Sequence, residues 1–240
     1  MNPSSLIVWR LFLLSICVFC SLSPSNYCAF REEGNQLIRN GAASLSGPAR
    51  MQPVAVLQGK IGGDYFQLEV KDDQVFVFLN HSEGKISWQS PREWQVREAF
   101  FSDLNRDGEQ ELSLLVWREY SPWPVDRLLH FDSLIQNFHN QAGESCQLIL
   151  LKWESGTFKE AWAGSALAAP IHDFQVLDLD GDGFQELAAL EQSYDANSKV
   201  SSVVVWRWNG FGFSLDTRLE GRYTDLWTLH DQKRAWLVIR

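Results

Sequence analysis

Asp178 to Leu187 reads D-L-D-G-D-G-F-Q-E-L, with aspartates at 178, 180 and 182, glycines at 181 and 183, and Glu186 four residues after the last aspartate. Carboxylates at alternate positions on a tightly turning chain converge on one point. A hard divalent cation such as calcium takes about six to eight oxygens at about 2.3 to 2.6 Å and suits such a cage; magnesium, which demands octahedral geometry and keeps its waters, suits it less. The seventh residue, Phe184, has only its backbone carbonyl to offer.

The device occurs twice. Asp103 to Leu112 reads D-L-N-R-D-G-E-Q-E-L, so that Asp103, Asn105, Asp107, Glu109 and Glu111 stand where Asp178, Asp180, Asp182, Phe184 and Glu186 stand, 75 residues later (178 minus 103). Each copy runs straight into an apolar segment, Leu112–Trp117 or Leu187–Leu190, which places each loop at the entrance to a strand. The second loop carries four formal negative charges against three in the first, where Asn105 is neutral and Arg106 brings a positive charge, so tighter binding is expected at the second.

An EF-hand also begins with acidic residues at its first, third and fifth places, but it needs a bidentate Glu at the twelfth. That place is Leu114 in one loop and Ala189 in the other, and the flanks do not read as helices. With the last acidic residue at the ninth place, the spacing resembles the calcium loops of FG-GAP and VCBS-type repeats, found in integrin alpha-chain propellers and many bacterial surface proteins. The resemblance covers residues 93 to 215. It implies calcium at Asp103, Asn105, Asp107, Glu109 and Glu111 and at Asp178, Asp180, Asp182, Phe184 and Glu186.

The flanks repeat as well. Trp153 and Phe158 stand five apart around the turn Glu154-Ser155-Gly156, as do Trp208 and Phe213 around Asn209-Gly210, and Asn-Gly between apolar runs is a strong hairpin signal. Loop, strand and aromatic hairpin in fixed order are how propeller blades look in sequence. Before the first unit, the runs Val54–Leu57, Tyr65–Val70, Val75–Leu79 and Ile86–Trp88 read as a meander, and after the second come Leu226–Leu229 and Ala235–Ile239. The fold class is therefore all-β, a propeller-like stack of about four small antiparallel sheets. The end strands are expected to close it by pairing with the run at Val54. The first unit is longer than the second by an insertion holding Pro122-Trp123-Pro124 and apolar residues at 128, 131, 135 and 138, which fits a surface helix or, less simply, a lid.

Outside residues 51–240, the chain reads differently. Arg10 precedes the apolar run Leu11–Leu22, which fits a secretory signal or an uncleaved anchor over residues 1–22. Export puts the folded part in a secreted, periplasmic or membrane-attached setting, with attachment through the N-terminal segment alone. Residues 23–50 lack a sustained apolar period and read as a flexible linker, with room for a short helix over Glu32–Ile38. Cys28 and Cys146 are compatible with a disulfide or with two free thiols. Asn80-His81-Ser82 matches a glycosylation acceptor.

With 30 acidic and 21 basic residues and a formal net charge of -9, the chain has no basic face for nucleic acid. Its five histidines are scattered, and no nucleophile or metalloprotease motif is present. His172, six residues before Asp178, is the one that approaches a loop, and a strand-end role fits it best. The strand tryptophans fit core packing, and Trp123 is the candidate for exposed contact. These features point to a calcium-stabilised binding or scaffold module for a protein or glycan partner, not an enzyme. The alternatives are a secreted calcium-dependent hydrolase or lyase, and an accessory subunit of a larger cell-surface assembly.

Overall fold

In the computed structural model, which describes residues 28–33, 36–39, 56–80, 85–121, 138–195, 197–230 and 235–240, sixteen strands and no helix among these residues build four antiparallel sheets of four strands each. The sheets are the blades of a four-bladed β-propeller. The chain begins with β1 (Cys28–Glu32) and β2 (Leu37–Arg39). Blade I follows as β3 (Val56–Ile61), β4 (Asp64–Lys71), β5 (Gln74–Leu79) and β6 (Ile86–Gln89). Blade II is β7 (Gln95–Ser102), β8 (Glu111–Glu119), β9 (Glu144–Glu154) and β10 (Thr157–Ala163). Blade III is β11 (Ile171–Leu177), β12 (Glu186–Glu191), β13 (Ser201–Trp208) and β14 (Phe213–Gly221).

Blade IV joins the two ends of the described chain. Its order is β15 (Leu226–His230), β16 (Ala235–Ile239), β1, β2, with Cys28, Ala29 and Phe30 paired to Ile239, Val238 and Leu237. Closure thus uses the segment around Cys28 and not the run at Val54, whose strand pairs with β4 in blade I. This also corrects the linker reading of 23–50 and the helix over Glu32–Ile38: residues 28–32 and 37–39 are strands. Five and three residues carry too little pattern to announce themselves, and their extended form is stabilised by a partner strand some 200 residues away in sequence (239 minus 28).

The second and third strands of blades II and III are buried on both faces because neighbouring blades cover both. On β8, Leu112, Leu114 and Val116 face the core shared with blade I, while Leu115 joins Leu148 and Leu150 in the core shared with blade III. On β12, Leu187 and Ala189 turn toward blade II, and Ala188 and Leu190 pack with Phe30, Leu237 and Ile239 of blade IV. Period-2 alternation is therefore present as two apolar faces, which in sequence is a continuous apolar run. Blades I and II approach closely enough that a Cβ on Gly59 would lie 2.2 Å from Cγ of Phe101.

The aromatic hairpins repeat as expected. Trp153 pairs across the ladder with Phe158, ring centroids 5.0 Å apart, and Trp208 with Phe213 at 5.3 Å. Trp162 meets Trp208 and Phe213 edge-on, and with Trp206 these rings line the core between blades II and III. Phe211 instead sits in the turn and is 87% exposed, because Asn209 Oδ1 accepts the N–H groups of Phe211 and Gly212 and delays the strand until Phe213. Cys28 and Cys146 are free thiols, and burial pushes the Cys146 thiol up to about 12. Residues 1–22, the segment with Trp123 and positions 128 to 135, and the sequon's His81 and Ser82 lie outside the described residues.

Candidate metal centre

Both acidic loops connect the first and second strands of their blades, β7 to β8 and β11 to β12. Their backbones are wound by the same side-chain acceptors. The first-place carboxylate accepts the N–H five residues on, Asp103 Oδ2 from Gly108 at 3.1 Å and Asp178 Oδ2 from Gly183 at 3.0 Å. The third place accepts from the fifth, Asn105 from Asp107 and Asp180 from Asp182, both at 3.0 Å. The fifth accepts from the seventh, Asp107 from Glu109 at 2.9 Å and Asp182 from Phe184 at 2.8 Å. These are Asx-type turns in series, and they gather the acidic heads on the inside of each loop.

Carboxylate oxygens of Asp103, Asp107 and Glu111 lie within 4.8 Å of one another, as do those of Asp178, Asp180 and Glu186. At that separation two ionised carboxylates repel by roughly 3.5 kcal/mol at an effective dielectric near 20. A cation or a proton must offset the repulsion.

The first loop carries no internal cation. Among the described residues no ion pair reaches Asp103, Asp107 or Glu111, and Arg106 points away. Glu111 is 2% exposed; its Oε1 accepts from Asn105 Nδ2 at 2.7 Å, while its Oε2 is buried without a hydrogen-bond partner. Burial, then the charges of Asp107 and Asp103, push its carboxyl up to about 8. An unpartnered buried carboxylate oxygen beside two more carboxylates fits a hard divalent cation held by Asp103, Asp107 and Glu111. Asn105 bridges two of them, its Nδ2 also donating to Asp107 Oδ2 at 3.1 Å. The Glu109 side chain turns to blade I, where its Oε2 accepts from Gly62 N at 3.2 Å.

The second loop is compensated in part from within, burial still pushing the Glu186 carboxyl up to about 7 against the Leu179 N–H and Arg207. Arg106 Nη2 lies 2.6 Å from Glu186 Oε1, and Arg207 Nη1 lies 2.9 Å from Asp180 Oδ2 and 3.5 Å from both Asp182 Oδ2 and Glu186 Oε1. The other Glu186 oxygen accepts from Leu179 N at 3.0 Å, so neither is left over. Against the cost of burial, the Arg207 guanidinium holds the Asp180 carboxyl below its ordinary value. Asp182 is drawn out of the carboxylate triad toward the two arginines, and Phe184, 46% exposed, lies under Arg106 with the guanidinium 5.0 Å from the ring centre. The expectation that the second loop carries the larger uncompensated charge, and that Arg106 serves the first, is thus reversed. His172 is exposed on a bulge of β11.

No protein-family model, no curated protein and no solved structure gives a significant match to this chain. The functional argument therefore rests on the residues themselves.

Four of those residues escaped the loop pattern. Gln110 and Gln185 occupy the eighth place in the two copies and each grips the blade before it: Gln110 Oε1 accepts from Lys60 N at 3.0 Å and Gln185 Oε1 from Asp103 N at 2.9 Å. Their identity in both copies was a usable signal. Arg106 had one too, as it stands where the other loop has Gly181. Arg207, alternating with two tryptophans on β13, gave none; it also bonds Asp216 at 2.9 Å and reaches Glu32 of blade IV at 3.5 Å.

Proposed function

We propose that this chain is an exported, calcium-stabilised propeller of the kind that FG-GAP and VCBS-type repeats build, working as a binding or scaffold module for a protein or glycan partner. The observation that carries the calcium reading is Glu111, buried with one oxygen unpartnered between Asp103 and Asp107. A hard cation with oxygen ligands answers that arrangement, and extracellular modules hold calcium at about 0.1 to 1 mM. The binding reading draws on the frame: the turns between first and second strands are tied blade to blade by Gln110, Gln185 and Arg106, a rigid base from which neighbouring loops present side chains. Phe211 at 87% exposure is the most prominent apolar group so presented among the described residues.

Two measurements test the proposal in sequence. Thermal melting of the protein with calcium and with a chelator should show a calcium-dependent rise that Asp103→Asn with Asp107→Asn abolishes. Equal melting in both conditions removes calcium from the proposal. A glycan array and a surface-protein binding screen, each run with Phe211→Ser alongside the parent, then address the partner. Retention of every detected interaction by the variant excludes Phe211 as the contact.

A further inference from the structure

Two copies of one loop, 75 residues apart, place their carboxylates alike and compensate them differently. We infer that the loops take different cations: a single divalent metal ion in the first, and in the second the guanidinium groups of Arg106 and Arg207, so that the chain binds one metal ion and not two. The inference deepens the calcium proposal and rests on the first loop being a metal site.

Three observations support it. Glu186, fully buried, has both oxygens occupied, by Arg106 Nη2 at 2.6 Å and by Leu179 N at 3.0 Å, whereas its counterpart Glu111 keeps a buried oxygen unpartnered. Arg207 Nη1 contacts Asp180, Asp182 and Glu186 together at 2.9 to 3.5 Å, the position from which a metal would have to expel it. The third is the backbone of Arg106. It has φ +62°, a left-handed conformation that disfavours any side chain, at the place where the second loop uses Gly181 with φ +84°. A side chain is kept there in place of glycine, and it leaves its own loop to reach the next blade's carboxylates.

The arrangement also couples the sites. Arg106 lies between Asn105 and Asp107, so the loop that holds the metal positions the guanidinium that neutralises the second loop.

Equilibrium dialysis of the full chain against radioactive calcium, carried to about 10 mM free ion so that a site about 10-fold weaker than those of extracellular modules still fills in part, tests the assignment. The parent should bind one ion, lost in Asp107→Asn and kept in Asp178→Asn. Arg106→Gly with Arg207→Gln should bind two. Two ions on the parent, or a single ion lost with Asp178→Asn and kept with Asp107→Asn, overturn the inference. Because Arg207 also holds Asp216 and Glu32, the double variant may be replaced, if it does not fold, by Arg106→Gly alone, which matches the backbone of Gly181. With Arg207 still competing for the site, that variant should show a second ion about 10-fold weaker than the first, and no second ion at about 10 mM overturns the inference. No ion on the parent sinks the metal reading of the first loop instead. The arginine assignment then stands if the arginine variant binds one ion that Asp178→Asn removes, and falls if it binds none.

Discussion

The first and second acidic loops share spacing, turn hydrogen bonds and a buried glutamate at the ninth place, yet one glutamate keeps an oxygen unpartnered and the other has both occupied. What separates them is two guanidinium groups, that of Arg207 within blade III and that of Arg106 crossing from blade II. Arg106 leaves the first loop underneutralised and completes the second, so a repeat in sequence has become a division of labour in space. A ligand-spacing pattern therefore specifies where carboxylates gather but not which cation they meet.

Substituting the same residue in both copies should give opposite results. Glu186→Gln leaves Arg106 facing an amide inside the protein, and breaking a buried pair from one side costs about 3 kcal/mol. Urea unfolding in chelator should show that loss. Glu111→Gln, by contrast, removes a desolvated carboxyl from a repulsive cluster and should leave chelated stability within about 0.5 kcal/mol or raise it. Equal losses in the two variants would erase the distinction.

Calcium sharpens the contrast by a slightly smaller amount. At an ion concentration 100 times the dissociation constant, binding adds about 2.7 kcal/mol to the parent. Glu111→Gln should forfeit that gain and Glu186→Gln should retain it, measured as the difference between unfolding curves with calcium and with chelator. A smaller effect follows from the backbone. Gly181→Ala places a Cβ at φ +84° and should cost about 1 kcal/mol. Arg106→Gly relieves the same strain while losing an ion pair, so its net change should be smaller than that of Glu186→Gln.

The all-β class, the number of blades, both loops and both aromatic hairpins were legible because each is a local pattern: alternate carboxylates, Asn-Gly between apolar runs, tryptophan and phenylalanine at fixed spacing. Blade IV was not. Cys28–Glu32 has two buried apolar residues, Ala29 and Phe30, and its strand exists through pairing with Leu237 to Ile239 at the far end of the chain. Arg207 was equally silent, since a basic residue between tryptophans says nothing of the five acidic groups, on β1, the second loop, β12 and β14, that surround it. Arg106 was visible as a charge but assigned to the wrong loop, because adjacency along the chain was taken for adjacency in space.

The 75-residue repeat extends to one more pair, and there the two copies meet each other. Glu98 on β7 and Asp173 on β11 each follow a bulge, at Arg97 and His172. Each then accepts from the first strand of the next blade, Glu98 Oε2 from Phe174 N at 3.1 Å and Asp173 Oδ2 from Leu226 N at 3.3 Å. Burial, and after it the charge of Asp173, hold the Glu98 carboxyl well above its ordinary value of 4.5; burial raises Asp173 as well, against its hydrogen bond with Glu98. Below pH 4.5 folded and unfolded chains both keep the Glu98 proton, and the group does not affect the balance between them. As pH rises beyond 4.5 the unfolded chain gives the proton up while the folded chain retains it, so stability falls until the folded state ionises too. Glu98→Gln keeps an acceptor for Phe174 N and removes the titration. In chelator the variant should match the parent near pH 4 and exceed it increasingly as the pH rises toward 7. A gap that stays constant between those pH values would mean that Glu98 acts through packing alone, and that the pair of Glu98 and Asp173, unlike the loops, has no charge to balance.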